Sequence, residues 1–374
     1  MIKRELYLEK IRRLINTEPI KIITGVRRSG KTYLLHSIKE ELIEQGISKE
    51  NIFLISFESQ KYNKIQNFME LDVCVNNLIK NTSGKLYLLF DEIQNIMGWE
   101  KSINSYRVDF DCDIYITGSN AYLLSSELST YLSGRYVEIK VLPLSFREFL
   151  DFHGYKLTER KSPAGGVKKR IMDDDGEVYD AKELFDAYTR FGGMPMLADV
   201  GLEVDKVTAA LEGVYSAAVI NDILEREKRK GQRTITDAVL LRKIIMFLAD
   251  NIGNNTSATS IGNTLVNERL LENGNRKTKP AVQTIQVYIK ALTEAYFFYE
   301  IKRFDIKGKE YLRTLGKYYI VDIGLRNYLL GFREGDSGHI LENIIYFELL
   351  RRGYDVAIGK IDNQEVDFIA TKAD

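Results

Sequence analysis

The sequence predicts an α/β fold for its amino-terminal part, built on a parallel sheet. Short, nearly continuous apolar runs alternate there with segments of helical periodicity, and strands buried on both faces of a parallel sheet have this composition. The expected strands span residues 20–24, 52–57, 86–90, 114–117 and 136–142. Between the first two, a helix that ends near Gly46 presents one apolar face, formed by Leu34, Leu35, Ile38 and Leu42. This order is that of βαβ units.

Length and composition restrict the class of protein more than its partners. A chain of 374 residues favours two or three domains. Acidic and basic residues balance at 53 each, so net charge points to no particular partner, although local basic patches remain possible. The amino terminus has no apolar signal core, and no apolar run approaches the roughly 20 residues that span a bilayer. We therefore expect a cytoplasmic protein without a membrane segment.

Cysteine and histidine usage predicts no metal centre. The two cysteines, Cys74 and Cys112, lack CxxC spacing and are expected to be buried free thiols rather than a disulfide or a zinc site. The three histidines are scattered along the chain and form no ligand cluster.

The remainder of the chain divides into three further patterns. Residues 154–180 mix Pro, Gly and charge without a sustained period, which predicts an insertion or linker, and a helical region follows. Residues 236–330 contain three helical patterns and then β-like runs, the order of a winged helix-turn-helix. The tail, residues 340–374, predicts one helix and two strands.

The segment GVRRSGKT, residues 25–32, matches the phosphate-binding pattern G-x-x-x-x-G-K-[ST] at every fixed position. It follows a predicted strand and opens a predicted helix, which is the context that this pattern requires. Backbone N–H groups at a helix N-terminus would surround the phosphates, Lys31 would contact the β- and γ-phosphates, and Thr32 would bind Mg²⁺. The alternative is a chance glycine turn. The expected nucleotide contacts are Gly25, Val26, Arg27, Arg28, Ser29, Gly30, Lys31, Thr32 and Tyr33.

An acidic pair at the end of the third strand supports this site independently. The apolar run of residues 86–90 leads into Asp91 and Glu92. Asp91 would hold Mg²⁺ through water, and Glu92 would act as general base on an attacking water. An acidic turn after a strand is common by itself, but here it follows the glycine-rich loop by about sixty residues.

Two further segments contain candidate site residues, and each also has an ordinary structural explanation. Ser119 and Asn120 follow the fourth strand and would lie near the γ-phosphate if that strand sits between the other two, although Gly-Ser-Asn is also an ordinary turn. Arg135 precedes the fifth strand and would stabilise transition-state charge in its own site or in a neighbour's. A surface arginine is the alternative.

Motifs along nearly the whole chain resemble bacterial and archaeal P-loop ATPases of the AAA+ group that carry an AAA_14 module and a DUF4143 carboxy-terminal region. The matching segments include GVRRSGKTYLL, LLFDEIQNIMGWE, GGMP, VINDILER and KYYIVDIGLRNYLLG. The resemblance implies an ASCE-type sheet whose sensor strand lies between the P-loop and Walker B strands. It implies Walker roles for Lys31, Thr32, Asp91 and Glu92, a sensor role for Asn120, and an arginine-finger or sensor role for Arg135.

The combined expectation is a P-loop ASCE/AAA+-type domain, a helical linker, a winged helix-turn-helix domain and a partial PD-(D/E)xK nuclease-like tail. The corresponding boundaries are residues 1–153, 154–235, 236–335 and 336–374. The resemblance implies the nuclease-like tail, in which Glu342 and Asp367 match two positions of the pattern while the Glu-x-Lys is missing. Glu342, Glu365 and Asp367 are therefore expected to be a structural vestige of a nuclease site.

These observations leave three functions open. The first is a Mg²⁺-dependent ATPase, acting as a homo-oligomer, that drives a motor or switch on DNA or a DNA-bound complex. Lys279, Gln283, Gln286 and Lys290 would face the DNA, although the winged helix would otherwise serve only as a lid. The second is a STAND-like ATP/ADP switch that acts through protein partners. The third, an ATP-gated nuclease, lacks a complete metal centre.

Overall fold

The computed structural model describes residues 2–119, 134–161, 167–218, 223–224, 235, 237–267, 280–305, 310–311, 316–361 and 364–372. The chain divides into two compact units, Met1–Val141 and Leu142–Asp374. The finer division into four parts stays a prediction. Within the described residues, no helix is long and apolar enough to cross a membrane.

The first unit is built on a parallel sheet, as predicted. In the described part of the unit, the sheet has five strands in the order β2-β3-β4-β1-β5, and every neighbouring pair is parallel. The order confirms that β4 lies between β1, which leads into the P-loop, and β3, which carries the acidic pair. The strands are β1 (Ile20–Thr24), β2 (Ile52–Ser56), β3 (Leu86–Asp91), β4 (Cys112–Gly118) and β5 (Tyr136–Lys140).

Helices cover both faces of this sheet, which explains the continuous apolar runs of its strands. Side chains alternate between the two faces, so Leu88 and Phe90 pack on one side while Tyr87 and Leu89 pack on the other. The first side is covered by α3 (Phe68–Ile79) and α4 (Trp99–Asp109), and the second by α1 (Glu5–Arg12) and α2 (Lys31–Glu44).

An antiparallel sheet in the second unit was not predicted from the sequence pattern. Residues 154–180, expected to be an irregular insertion, contain an antiparallel sheet formed by β6 (Lys156–Lys161), β7 (Val167–Met172) and β8 (Val178–Tyr179). Backbone pairing forms this sheet despite few apolar residues. In chain order, α5 (Phe146–Phe152) precedes this sheet, and α6 (Ala181–Phe191), α7 (Leu197–Val200) and α8 (Val204–Ser216) follow it.

The carboxy-terminal half of this unit contains the three predicted helices and a more complex strand pairing. The helices are α9 (Ala238–Asp250), α10 (Ala258–Asn267) and α11 (Val282–Glu294). They are followed by α12 (Ile323–Leu330) and α13 (Ser337–Arg351). One sheet has the order β10-β13-β9, from Phe298–Ile301, Gly316–Ile320 and Asn255–Thr256. A second sheet has the order β12-β11-β14-β15, from Glu310–Tyr311, Arg303–Asp305, Asp355–Ile361 and Gln364–Thr371.

The glycine pair of the FGGMP segment has a packing role in the second unit. A Cβ on Gly193 would lie 2.3 Å from the carbonyl oxygen of Leu144, and one on Gly192 would lie 2.3 Å from Asp322 Oδ1. Asp322 caps α12 and also accepts a hydrogen bond from the Gly193 N–H at 2.7 Å. Burial raises the pKa of Asp322 to about 6, although its backbone donors act in the opposite direction. Gly192 and Gly193 therefore approach the Asp322 carboxylate and the Leu144 carbonyl at distances where only glycine fits.

A buried ion pair joins the two central strands of the first unit. Lys21 Nζ of β1 lies 2.6 Å from Asp113 Oδ1 of β4, and the two side chains are 0% and 1% exposed. The hydroxyl of Tyr115 and the backbone N–H of Asn16 also donate to Asp113. Burial lowers the pKa of Lys21, while the neighbouring Asp113 carboxylate counteracts that effect. Removing one partner would therefore leave a buried charge without its counter-ion.

Asp113→Ala is expected to lower the free energy of unfolding of the first unit by about 3–5 kcal/mol, because Lys21 loses its buried partner. Trp99 is the only tryptophan in the sequence and is buried in this unit, so its fluorescence during urea unfolding measures the change. The matched control is Glu18→Ala, which removes a carboxylate that is 83% exposed and paired with Arg107. It should cost at most about 1 kcal/mol, and equal losses in both variants would contradict the expectation.

Candidate functional site

Parallel pairing brings the polar ends of four strands to one edge of the first unit's sheet. The P-loop follows β1, and β2, β3 and β4 contribute Ser56, Asp91 and Thr117 at or near their carboxyl ends. In open parallel sheets this edge is where ligands bind. Glu92 follows directly after Asp91, so both predicted acids lie at the same edge as Lys31 and Thr32.

The P-loop holds a conformation that depends on its glycines. Gly25 has φ +147°, and a Cβ there would lie 2.1 Å from the carbonyl oxygen of Val141. Gly30 has φ +97° and forms the N-cap of α2. Arg28 also adopts a left-handed conformation, with φ 65°. The motif glycines thus meet a steric demand of the protein itself, in addition to any need to approach a ligand.

Lys31 is buried at the base of the loop with its charge directed at backbone and carboxylate oxygens. Its Nζ donates to the carbonyl oxygens of Gly25 at 3.1 Å and Val26 at 3.2 Å. It also lies 3.6 Å from Glu92 Oε1, and the two side chains are 3% and 7% exposed. Screening by water is weak at this burial, so the cation would attract an anionic ligand strongly.

Asp91 is the acceptor on which three hydroxyl groups converge. Thr117 Oγ1 donates to it at 2.6 Å, Thr32 Oγ1 at 3.0 Å and Ser56 Oγ at 3.1 Å. The donors come from β4, the start of α2 and the end of β2. The carboxylate is thereby fixed beside the P-loop threonine.

Glu92 occupies a strained backbone position that its neighbours stabilise. Its φ and ψ are 53° and 48°, a left-handed conformation that costs energy for a residue with a side chain. Its buried N–H donates to Thr117 Oγ1 at 2.9 Å, and its carboxylate accepts a hydrogen bond from the side chain of Gln94. Strain of this kind is often found where a side chain must point at a ligand.

The donor set at this edge suits a magnesium–nucleotide complex. Carboxylate and hydroxyl oxygens are the ligands that Mg²⁺ prefers. Among the described residues, no group of three or more His, Cys, Asp or Glu could hold a metal ion. Mg²⁺ typically binds through one or two carboxylates together with phosphate oxygens and waters, and Asp91 supplies such a carboxylate at this edge.

Two other predicted nucleotide contacts, Arg27 and Tyr33, bind to residues of the protein itself. Arg27 Nη2 lies 2.7 Å from Glu58, and the Tyr33 hydroxyl donates to the Ile2 carbonyl oxygen at 2.8 Å. Ser119 is described and buried. Asn120, the expected sensor, lies outside the described residues.

Arg135 lies at the other edge of the sheet from the P-loop. Its carbonyl oxygen accepts a hydrogen bond from the N–H of Ile20, the first residue of β1, and its side chain is exposed. The P-loop begins at Gly25, five residues after Ile20 along β1. At about 3.3 Å per residue, Gly25 is therefore roughly 16 Å from the end of the sheet where Arg135 lies. The structure therefore does not bring Arg135 together with Lys31 and Asp91 in one site.

The acids of the carboxy-terminal tail surround a lysine in the second unit. Lys317 Nζ lies 3.0 Å from Glu342 Oε1 and 2.8 Å from Glu365 Oε1. Burial lowers the pKa of Lys317, but the hydrogen bonds to Glu365 and Glu342 outweigh burial, so that its pKa is raised. Asp367 is exposed on β15. Two of the three carboxylates thus compensate a lysine.

Sequence reasoning missed Thr117, Ser56 and Gln94. Ser56 and Thr117 are single hydroxyl residues at the ends of apolar strands, a pattern too common to stand out. Their relevance follows only from the strand order, which places β2 and β4 on either side of β3. Gln94, two residues after Glu92, is recognisable only once its bond to that carboxylate is seen.

Comparison with known proteins agrees with this arrangement. Residues 17–150 match the model of an AAA domain (AAA_14), and residues 182–336 match a domain of unknown function (DUF8612). The carboxy-terminal match is therefore to DUF8612 and not to the expected DUF4143. An uncharacterized protein of Haemophilus influenzae is 41% identical over 376 residues, covering 100% of this chain and 85% of that protein.

The chain belongs to this family of AAA-domain proteins. A second member, the uncharacterized protein MJ1544 of Methanocaldococcus jannaschii, is 31% identical and covers 94% of this chain and 71% of its own. Among solved structures, the Orc1 protein of Aeropyrum pernix in complex with DNA aligns with 88% of this chain and 92% of its own. The sequence identity of that alignment is 12% and its TM-score is 0.34.

Thr117→Val is expected to lower the free energy of unfolding of the first unit by about 1–3 kcal/mol, because the buried Glu92 N–H loses its acceptor. Thr117→Ser keeps the hydroxyl and should lose less. Urea unfolding monitored by Trp99 fluorescence compares the two variants with the wild type. A valine variant as stable as the wild type would show that this hydrogen bond contributes nothing.

Proposed function

We propose that this protein binds ATP with Mg²⁺ and hydrolyses it to drive a conformational motor or switch. The observation that carries the proposal is the arrangement of Lys31, Thr32, Asp91 and Glu92 at one edge of the sheet. Thr32 Oγ1 lies 3.0 Å from Asp91 Oδ2, and Lys31 Nζ lies 3.6 Å from Glu92 Oε1. A binding site without turnover would not require a second carboxylate beside the lysine.

Each residue has a separable role in this proposal. Lys31 and the N–H groups at the start of α2 attract and orient the phosphates. Thr32 and Asp91 supply oxygen ligands to Mg²⁺, which when bound offsets the charge of the phosphates. Glu92 accepts a proton from the attacking water, and Thr117 holds the backbone from which Glu92 projects.

Arg135 supports an oligomeric form of the enzyme. Its exposed side chain lies roughly 16 Å along the sheet from its own P-loop. A role in catalysis therefore requires the site of a neighbouring chain, where a guanidinium can stabilise the charge that develops on the transferred phosphoryl group. A homo-oligomer is the assembly that this assignment implies.

Action on DNA, or on a DNA-bound complex, is the proposed use of the ATP energy. The order of α9, α10 and α11 followed by β10 and β13 supports a winged helix within residues 236–335. Gln283, Gln286 and Lys290 are exposed on α11, as a recognition helix requires. Lys279, also expected at this surface, lies outside the described residues.

A STAND-like ATP/ADP switch acting through protein partners is a second candidate. The contacts of Glu92 with Lys31 and Gln94 favour it, because a tethered base would slow hydrolysis. Slow turnover with tightly bound ADP supports the switch, whereas turnover stimulated by DNA supports the motor. The nuclease proposal is weaker, since Lys317 occupies the position between Glu342 and Glu365.

Lys31→Ala and Glu92→Gln are both expected to lower the rate of phosphate release from ATP by about 100-fold or more. They should differ in binding, because Glu92→Gln keeps the phosphate contacts while Lys31→Ala loses the main cation. Phosphate release and ATP affinity are measured for both variants with Mg²⁺ present. Equal rates of phosphate release in the wild type and both variants would contradict the proposal.

Mixing Arg135→Ala with Lys31→Ala protein is expected to restore part of the activity that each variant lacks. In a mixed assembly, an intact P-loop meets an intact arginine from a neighbouring Lys31→Ala chain. The loss from Arg135→Ala alone should be about 1,000-fold if it acts as an arginine finger. Phosphate release is measured across mixing ratios, with each variant alone as control, and no recovery at any ratio argues against action between subunits.

A further inference from the structure

The segment that precedes the AAA domain contacts the P-loop through one buried arginine. Arg4 is 1% exposed, and its Nη1 donates a hydrogen bond of 3.0 Å to the carbonyl oxygen of Ser29. Its guanidinium lies 4.6 Å from the ring centre of Tyr7. A fully buried cation is costly unless its surroundings compensate it, so this contact is more than a surface feature.

We infer that Arg4 is a positioning residue that holds the P-loop in its phosphate-binding conformation. The inference rests on the proposed nucleotide function. In a trans peptide the C=O and the N–H point in opposite directions across one plane. Holding the Ser29 carbonyl against Arg4 therefore fixes the opposite direction of the Gly30 N–H, which lies at the N-terminus of α2.

The N–H groups at this point of the loop are those that a phosphate would use. The first N–H groups of a helix have no partner within the helix, and together they form an anion site. Gly30 is the N-cap of α2, and Lys31 is its first residue. A rotation of the Ser29–Gly30 peptide would turn one of these donors away from the ligand.

The loop needs such support because its backbone adopts positive φ on both sides of Ser29, which is strained at Arg28. Arg28 has φ 65° and Gly30 has φ 97°, and the position of Arg28 costs about 1–3 kcal/mol for a residue with a side chain. The Ser29 hydroxyl does not stabilise the loop, since it is buried without a hydrogen-bond partner among the described residues. The guanidinium of Arg4 supplies a charged donor to the carbonyl of that same residue.

Other contacts attach the amino-terminal segment to α2 independently of Arg4. Lys3 Nζ lies 2.8 Å from Glu41, and Arg12 Nε lies 2.7 Å from Glu41. The hydrogen bonds from Arg12 contribute most to lowering the pKa of Glu41 to about 2, so this attachment is charged at neutral pH. Arg12 therefore provides a matched control. Like Arg4 it belongs to the amino-terminal segment, but it contacts α2 at Glu41 and not the Ser29 carbonyl of the P-loop.

Affinity for Mg²⁺–ATP, measured by titration calorimetry, tests the inference in four variants. Arg4→Leu should raise the Kd about ten- to hundredfold, the loss of one charged hydrogen bond. Arg4→Lys keeps the charge and a donor, so its Kd should lie between those of Arg4→Leu and the wild type. Arg12→Ala should leave the Kd within about twofold of the wild type. Lys31→Ala is the reference for loss of the phosphate contact itself.

The outcomes separate this inference from the proposed function. If the wild type binds ATP and a folded Arg4→Leu binds it equally well, the inference is wrong while the function stands. If Arg12→Ala weakens binding as much as Arg4→Leu, docking of the whole segment is responsible and the inference is also overturned. If the wild type binds no ATP, both fail. Should Arg4→Leu unfold by Trp99 fluorescence, weaker binding by folded Arg4→Lys supports the inference, and wild-type affinity overturns it.

Discussion

The carboxylate of Asp91 is the point on which the first unit's site depends. It accepts hydroxyl hydrogen bonds from Thr32, Ser56 and Thr117, which belong to three different elements of the chain. A single charged acceptor thus sets the relative positions of the P-loop helix and two strands. Thr117 also positions Glu92, because its hydroxyl oxygen accepts a hydrogen bond from the Glu92 backbone N–H. The residues proposed to bind metal and to activate water are therefore positioned by one network.

Close approach of a glycine to a main-chain carbonyl oxygen fixes the position of other segments in the chain. Gly25 meets the Val141 carbonyl in the first unit, and Gly193 meets the Leu144 carbonyl in the second. In both places a methyl group would collide with a main-chain oxygen at about 2 Å, a contact that no side-chain movement can relieve. Sequence motifs that look like ligand loops can therefore be required by packing alone, or by packing and ligand together.

Local patterns were sufficient to predict the parallel sheet, the helix after the P-loop and the acidic pair. Each of these depends on residues close in sequence, such as the apolar run before Asp91. Contacts between distant residues were not predictable in this way. Thr117 is 26 positions from Asp91, and Arg4 is 25 positions from Ser29. The antiparallel strands within residues 156–172 were missed because their many charged side chains conceal the alternation that marks a strand.

The position of Arg135 has a consequence for how the protein behaves when it is dilute. The sheet separates this arginine from the P-loop of its own chain, so if Arg135 acts in a neighbour's site as proposed, an isolated chain would carry an incomplete hydrolytic site. Nucleotide occupancy and turnover would then respond differently to protein concentration: the first is a property of one chain, the second of an encounter between chains. Cellular abundance would in that case act as a control on ATP consumption, with no dedicated inhibitor required.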